Sequence, residues 1–339
     1  MKVLPAIVVA PVVIASSSWA CAALWLDGPL SGLLAAGFAA AAGGLLGWVR
    51  PGRTALACFA GLMVLVIAWW LAIEPRNDRD WLPEVAHPPT ASVEGNLVTI
   101  RNVRNFHYRS ETDFDERWEE RTYDLSGLRG ADLFLSYWGS PWIAHTIVSW
   151  EFDDGQHLAI SIETRKERGE AYSALLGFFR QFELYYVVAD ERDLVGLRTN
   201  QRGEDVYLYR LRTPIETARA VLLDYLEEAN RLAASPRWYN ALTHNCTTMI
   251  RHHVKNVAAE NPWNWRILVN GRLDELGYQR GTIDTSLPFE EFKKRSYISE
   301  RARAAANAPN FSQRIREGLP GERVRIQPAI SQRGAESNS

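Results

Sequence analysis

Three apolar stretches fill the first 73 residues, and they commit this part of the chain to an environment other than water. Val3 to Leu26 carries no charge and is interrupted only by Pro5 and Pro11. Leu30 to Val49 is rich in Ala, Gly and Leu, and Thr54 to Ile73 contains Trp69-Trp70-Leu71 near its end. Each is close to the roughly 20 residues that a helix needs to cross a bilayer. A cleaved signal peptide would explain the first run but not the next two. The small residues of the second allow close helix packing. The spans are expected to serve either as a plain anchor or as part of the site.

Basic residues in the short turns set the orientation. Lys2 precedes the first span and Arg50 and Arg53 bracket the second turn, whereas Asp27-Gly28-Pro29 between the first two has no basic residue. The N-terminus and second turn are therefore expected in the cytoplasm, and everything after Ile73 outside. Arg76 and Arg79 pull weakly the other way, diluted by Glu74, Asp78 and Asp80. In a bacterium this is a multi-pass inner-membrane protein with its C-terminal domain in the periplasm, an oxidising compartment. A net charge of −2 gives no reason to expect nucleic acid as a partner.

Beyond the spans, residues 74–89 read as a polar connector and 90–306 as one domain large enough for its own core. From 307 to 339 the composition predicts a disordered tail. Alternating apolar and polar residues predict strands over Val98–Tyr108, Thr122–Leu125, Ala131–Trp138, Leu184–Val188 and Asp205–Leu211. Ile143–Phe152 and His157–Arg165 flank Asp153-Asp154-Gly155-Gln156, a hairpin signal. Tyr172–Glu183 is expected to be helical. Pro214–Ala233 is an amphipathic helix with Thr213 as N-cap and Pro214 at its first position. Trp263–Gly277 and Leu287–Ala306 also read as helices. The sum is α+β: an antiparallel sheet with helices packed on one side, behind three transmembrane helices.

Cys246 is the one cysteine outside the apolar spans; Cys21 and Cys58 lie within them. The residues before it read as a loop and Thr247–Val254 as the start of a helix. A thiol there meets the unpaired N–H groups and positive dipole end of the helix, which favour the thiolate. With no disulfide partner in its own domain, it is either a nucleophile or an inert small residue.

A thiol nucleophile needs a base, and the base a group that orients it. His244 is too close along the loop for good geometry, and His252 and His253 lie roughly 9–10 Å along the helix axis. His87 and His107 have no supporting pattern. His145 starts a strand after Tyr137-Trp138-Gly139-Ser140-Pro141-Trp142, whose Gly and Pro force a sharp approach. With a tight turn at Asp154-Gly155, paired residue numbers sum to about 309, give or take one. For an even sum, His145, Ile147 and Ser149 share a face with Ala159, Ser161 and Glu163. Glu163 is then a cross-strand neighbour of His145 at about 5 Å between Cβ atoms, able to accept its N–H. His157 pairs near Phe152, roughly 23 Å away along the strand. The competing reading makes His145–Glu163 a surface ion pair within the charged run Glu163–Arg168. Cys246, His252 and His253 lack the spacing of a zinc site, and nothing in the pattern calls for a cofactor.

Several segments together resemble the periplasmic domain of Lnb-type bacterial proteins, the lipoprotein N-acyltransferase family. They are Asn77-Asp78-Arg79-Asp80-Trp81, Asn102-Val103-Arg104-Asn105-Phe106, Arg121-Thr122-Tyr123-Asp124-Leu125, and Ser136-Tyr137-Trp138-Gly139 with Ala144-His145. Ser161-Ile162-Glu163-Thr164-Arg165-Lys166-Glu167 and Tyr239-Asn240 with Asn245-Cys246-Thr247 complete the set. The order of histidine, polar residue on the next strand and cysteine on a helix is also similar to a circularly permuted papain or NlpC/P60 fold. The resemblance implies that Cys246, with His145 and Glu163, attacks a phospholipid or lipoprotein ester and passes the acyl group to the amino terminus of a lipoprotein. Asn245, Arg165, Ser161 and Tyr137 are supporting candidates: Asn245 to orient the loop or histidine, Arg165 to hold Glu163 ionised or to bind a lipid phosphate. The alternatives are a cysteine peptidase or amidase acting on peptidoglycan with the same residues, and a non-catalytic membrane protein of this fold.

Overall fold

The computed structural model describes residues 3–49, 52–258 and 262–321. Lys2 and Arg50, which carry part of the orientation argument, and residues 322–339 of the expected tail lie outside the described residues. The three apolar runs form helices α1 (Val3–Leu26), α2 (Ser31–Trp48) and α3 (Gly52–Leu71), each long and apolar enough to cross a membrane. Ala20 of α1 is fully buried among Ala35, Phe38 and Ala42 of α2 and Phe59 and Met63 of α3. Methyl-sized side chains let these backbones come together where apolar burial offers little drive in lipid.

The domain's strands are β1 (Thr90–Glu94), β2 (Leu97–Arg104), β3 (His107–Tyr108), β4 (Phe114–Asp115), β5 (Trp118–Asp124), β6 (Leu128–Tyr137), β7 (Ala144–Phe152), β8 (His157–Arg165), β9 (Glu183–Ala189) and β10 (Asp205–Arg210). The main sheet runs β1-β2-β9-β8-β7-β6-β10, with β5 also paired to β2. Its ladders are antiparallel except for the β2–β9 pair. Helices are α4 (Glu191–Gly196), α5 (Ile215–Ala234), α6 (Cys246–Val257), α7 (Leu273–Gln279), α8 (Phe289–Ser296), α9 (Ser299–Ala304) and α10 (Phe311–Arg314).

Helices cover both faces of the sheet, not one. Val148, Trp150, Leu158, Ile160, Ile162, Leu184 and Tyr186 point to one side, against Leu222, Tyr225 and Leu226 of α5 and Met249 of α6. Ile147, Ala159, Tyr185 and Val187 point to the other, against Leu194 of α4, Ile298 and Ala302 at α9, and Phe311 and Ile315. The central strands are therefore buried on both faces and read as nearly continuous apolar runs, which hid the second helical layer from a one-sided reading.

Other differences follow from tertiary contacts. Residues 307–321, expected as the start of a disordered tail, pack against the domain: Arg316 is buried and donates to Asp132 and Glu191. Those two carboxylates are fully buried on distant elements, so composition near 316 carried no trace of them. The expected helix over Tyr172–Glu183 is irregular apart from one 3-10 turn at Leu176–Phe178, and Glu183 already opens β9. Helix α5 begins at Ile215 with Pro214 in the N-cap position and no side-chain cap, so Thr213 does not cap it. Asp27, in the turn after α1, accepts from Trp70 of α3 and from Gln181 of the domain, which puts that turn and the end of α3 on the domain's side.

Candidate active site

The β7–β8 hairpin holds the register that positions the first group. Ile147 lies opposite Ser161 and Ser149 opposite Ala159, so His145, Ser161 and Glu163 share one face. The ladder ends at the Ile147–Ser161 pair; before it, β7 keeps only β6 as a partner, with His145 opposite Ser136. His145 thus sits where β7 has parted from β8. Ser161 fills the opening: its Oγ lies 2.6 Å from His145 Nε2 and donates to Glu163 Oε1 at 2.7 Å. Glu163 is 3.6 Å from the imidazole, so the direct hydrogen bond expected from sequence is replaced by a relay through the serine. Because the hydroxyl's one proton goes to Glu163, His145 Nε2 must carry the hydrogen, leaving the Nδ1 lone pair free. Nδ1 has no partner among the described residues and is not one of the fully buried unpartnered atoms.

Arg198 fixes the charge of this group. It donates to Glu163 at 3.0 Å and to Glu204 at 3.2 Å, and Ser136 also donates to Glu204. Although burial opposes ionisation, Arg198, then His145 and Arg104, hold the Glu163 carboxyl well below the usual carboxylate range. Burial and Arg198 push the His145 imidazole down to about 3, against the pull of Glu163, so the resting ring is neutral. Arg198 lies in a turn of π-helix, Leu197–Gln201, directly after α4. Such turns recur at functional sites, but nothing in the composition of this segment singled it out. Arg165, expected to hold Glu163, is instead buried beneath the connector. It donates to Val85 O, Ala86 O and Asn77 Oδ1 and stacks 4.2 Å from the Trp81 ring.

Cys246 opens α6, as the sequence indicates. Asn245 caps the helix: its Oδ1 accepts from the N–H groups of Thr247 and Thr248, and Thr248 Oγ1 accepts from Asn245 N. Its Nδ2 donates to Ala241 O, so Asn245 orients the loop rather than the histidine. The cap satisfies two first-turn donors and leaves the Cys246 N–H without a partner among the described residues. Cys246 Sγ lies 3.8 Å from Thr247 Oγ1 and 3.9 Å from Asn270 Nδ2. These are its hydrogen-bonding partners among the described residues, and His145 is not one of them. The thiol packs against the core on the α5–α6 face, whereas His145 alternates toward the other face.

One side chain ties the halves together. Asn270, before α7, accepts from Ala144 N at 2.9 Å and donates to Ala144 O at 2.6 Å and Thr247 Oγ1 at 2.7 Å. It bridges the residue before His145 and the residue after Cys246. Tyr137 adds a second brace through its hydroxyl to Gly271 O at 2.8 Å. At Gly271 an added Cβ would collide with Pro141 O and the backbone of Trp142 and Ile143, so glycine alone lets this segment reach the strand start. Asn270 and Gly271 lie more than a hundred residues from His145, and no local signal marks them.

Beside Thr247 a cavity of about 320 Å³ runs between the sheet and α5–α7. Its wall is mainly apolar, with Leu133, Val148, Trp150, Val221, Ile250 and Ile267 among the lining side chains. Thr247, Ile250, Arg251 and Val254 form one face of α6 along it. Among the described residues, no three His, Cys, Asp or Glu side chains converge as a metal site requires.

No curated protein and no solved structure matches the chain. Residues 114–271 match the Lnb N-terminal periplasmic domain, a stretch that holds His145, Ser161, Glu163, Arg198, Cys246 and Asn270 and ends at Gly271. This part of the chain is thus similar to the Lnb N-terminal periplasmic domain.

Proposed function

We propose that the protein is a membrane-anchored thiol acyltransferase of the bacterial inner membrane, multi-pass, with Cys246 as nucleophile and a lipoprotein amino terminus as acceptor. The observation that carries this reading is the apolar cavity reached along the helix that begins at Cys246. Its volume of about 320 Å³ falls at the low end of ligand-sized cavities, about 300–1,000 Å³, and its lining suits a hydrocarbon chain better than a glycan or peptide. The three apolar helices hold the domain beside ester-bearing lipids.

In this reaction the Cys246 thiol gives its proton to His145 Nδ1 and the sulfur attacks the carbonyl carbon of a phospholipid or lipoprotein ester. The Cys246 N–H stabilises the oxyanion. Collapse breaks the ester C–O bond, His145 returns the proton to the departing alkoxide, and an acyl thioester remains. The acceptor amine then attacks the thioester; His145 takes the amine's proton and passes it to the departing thiolate, leaving an amide. Ser161 and Glu163 hold His145 in the tautomer that presents Nδ1. Because thiol and imidazole rest toward opposite faces of the sheet, these steps require the two to be brought together round the start of β7, where it has left β8 and Asn270 joins the two elements.

Peptide mass spectrometry of the protein purified from membranes, with and without hydroxylamine, tests this beside a Cys246→Ala variant. A hydroxylamine-labile fatty acyl mass on the Cys246 peptide is the expected result. A bare thiol after incubation with phospholipid, together with cleavage of peptidoglycan fragments, would replace the proposal with the amidase reading.

A further inference from the structure

We infer that the loops around Cys246 and His145 form an apolar rim that dips into the leaflet on the domain's side of the membrane holding α1–α3. Four separate loops contribute large exposed apolar side chains at this end of the sheet: Trp142 and Ile143 before β7, Leu175 and Phe178 before β9, Leu242 before α6, and Trp263 before α7. Leu175 is 68 % and Trp263 61 % exposed, values that water alone would penalise. The loops touch one another: Ala241 N donates to Gly177 O, and Gly271 N donates to Trp142 O.

The same loops carry the contacts with the membrane helices. Two residues after Phe178, the Arg180 guanidinium lies 4.3 Å over the Trp70 ring at the end of α3. Gln181 Nε2 donates to Asp27 Oδ1 in the turn after α1, at 2.6 Å. Trp238, four residues before Leu242, donates its indole N–H to Ile73 O. The rim is thereby held at the depth where the apolar helices end. Tryptophan and arginine mixed with aliphatic residues are what the headgroup boundary accepts, since indole and guanidinium bring both apolar surface and polar tips. The occupant of this surface is the lipid itself, because the helices contacting it from below leave that leaflet as the neighbouring phase. A rim so placed gives a lipid tail a path to the apolar cavity that does not cross water. It holds whether or not Cys246 forms a thioester.

The test uses the full chain carrying Cys21→Ala, Cys58→Ala and Cys246→Ala. Single cysteines are placed at 142, 175, 242 or 263, labelled with an environment-sensitive fluorophore, and reconstituted into phosphatidylethanolamine/phosphatidylglycerol vesicles. Val93→Cys and Ile215→Cys serve as exposed controls away from the rim, and each labelled protein is matched to its parent by circular dichroism. Blue-shifted emission that headgroup- and shallow-chain spin-labelled lipids quench, at the rim positions and not at the controls, is expected. Emission that the spin-labelled lipids fail to quench at all four rim positions would overturn the inference, solvent-like if the rim stands in water and blue-shifted if a partner protein or second copy covers it. Acyl loading of Cys246 measured in detergent would be untouched by that result, so this inference and the proposed chemistry fail separately.

Discussion

Asn270 and Ala144 exchange two hydrogen bonds, Ala144 N to Asn270 Oδ1 and Asn270 Nδ2 to Ala144 O, as a neighbouring strand residue would. A side-chain amide here takes the place of a backbone ladder at the start of β7. The same Nδ2 also reaches Thr247 Oγ1, so the strand bearing His145 and the helix bearing Cys246 are located by one residue.

Asn270→Ala should therefore affect both stability and chemistry. It leaves the buried Ala144 N–H and C=O unpaired, a cost of about 1–3 kcal/mol. A misplacement of the strand start relative to the thiol should lower Cys246 acyl loading by about 100-fold. Urea unfolding and single-turnover loading read the two effects. Loading at the parent rate would remove Asn270 from any positioning role.

Ser161→Ala interrupts the relay between His145 and Glu163. The imidazole loses the acceptor that fixes its tautomer, and acyl loading should fall by roughly 10- to 100-fold with little change in fold. Glu163→Gln should show a similar loss. If Ser161→Ala loaded normally while Glu163→Gln did not, the carboxylate would be acting at 3.6 Å without the serine.

Stability should fall as the solution is made acidic. The unfolded chain protonates at His145 near its ordinary 6.5, whereas the folded imidazole stays neutral down to about 3, so the unfolded state holds more protons across that interval. Glu163 acts in the same sense. Its folded carboxyl is held low, so its contribution is present above the unfolded value and lost as pH drops through the folded one. His253, pushed down to about 4 by burial, adds the same dependence. His145→Asn should flatten the decline in urea midpoint between about pH 4 and pH 6.5. An unchanged slope would mean that His145 titrates normally in the folded protein.

Arg316→Met removes the cation that two fully buried carboxylates share, Asp132 on β6 and Glu191 at the start of α4. Stability should drop by about 3–5 kcal/mol. Truncation after residue 306 should do at least as much, measured by chemical unfolding in detergent. A truncated protein of parental stability would show that the segment adds nothing to the fold.

The sequence alone determined features that depend on spacing along the chain. Twenty-residue apolar runs make three membrane-length helices because the backbone must satisfy itself in lipid. A tight turn at Asp154-Gly155 fixes the β7–β8 register, and with it the shared face of His145, Ser161 and Glu163, because side chains alternate with a period of two. Asn245 before Cys246 announces a capped helix start through a local hydrogen-bond pattern. The tertiary structure decided what those residues meet. Arg198 rather than Arg165 holds Glu163, Ser161 stands between the carboxylate and the ring, and Asn270 joins strand to helix. It also closed the second face of the sheet and buried Arg316 between Asp132 and Glu191. Each of these contacts links residues dozens to more than a hundred positions apart, or depends on where one strand leaves another. Periodicity and local propensity reach only a few residues along the chain, so such pairings take form only when the whole core packs.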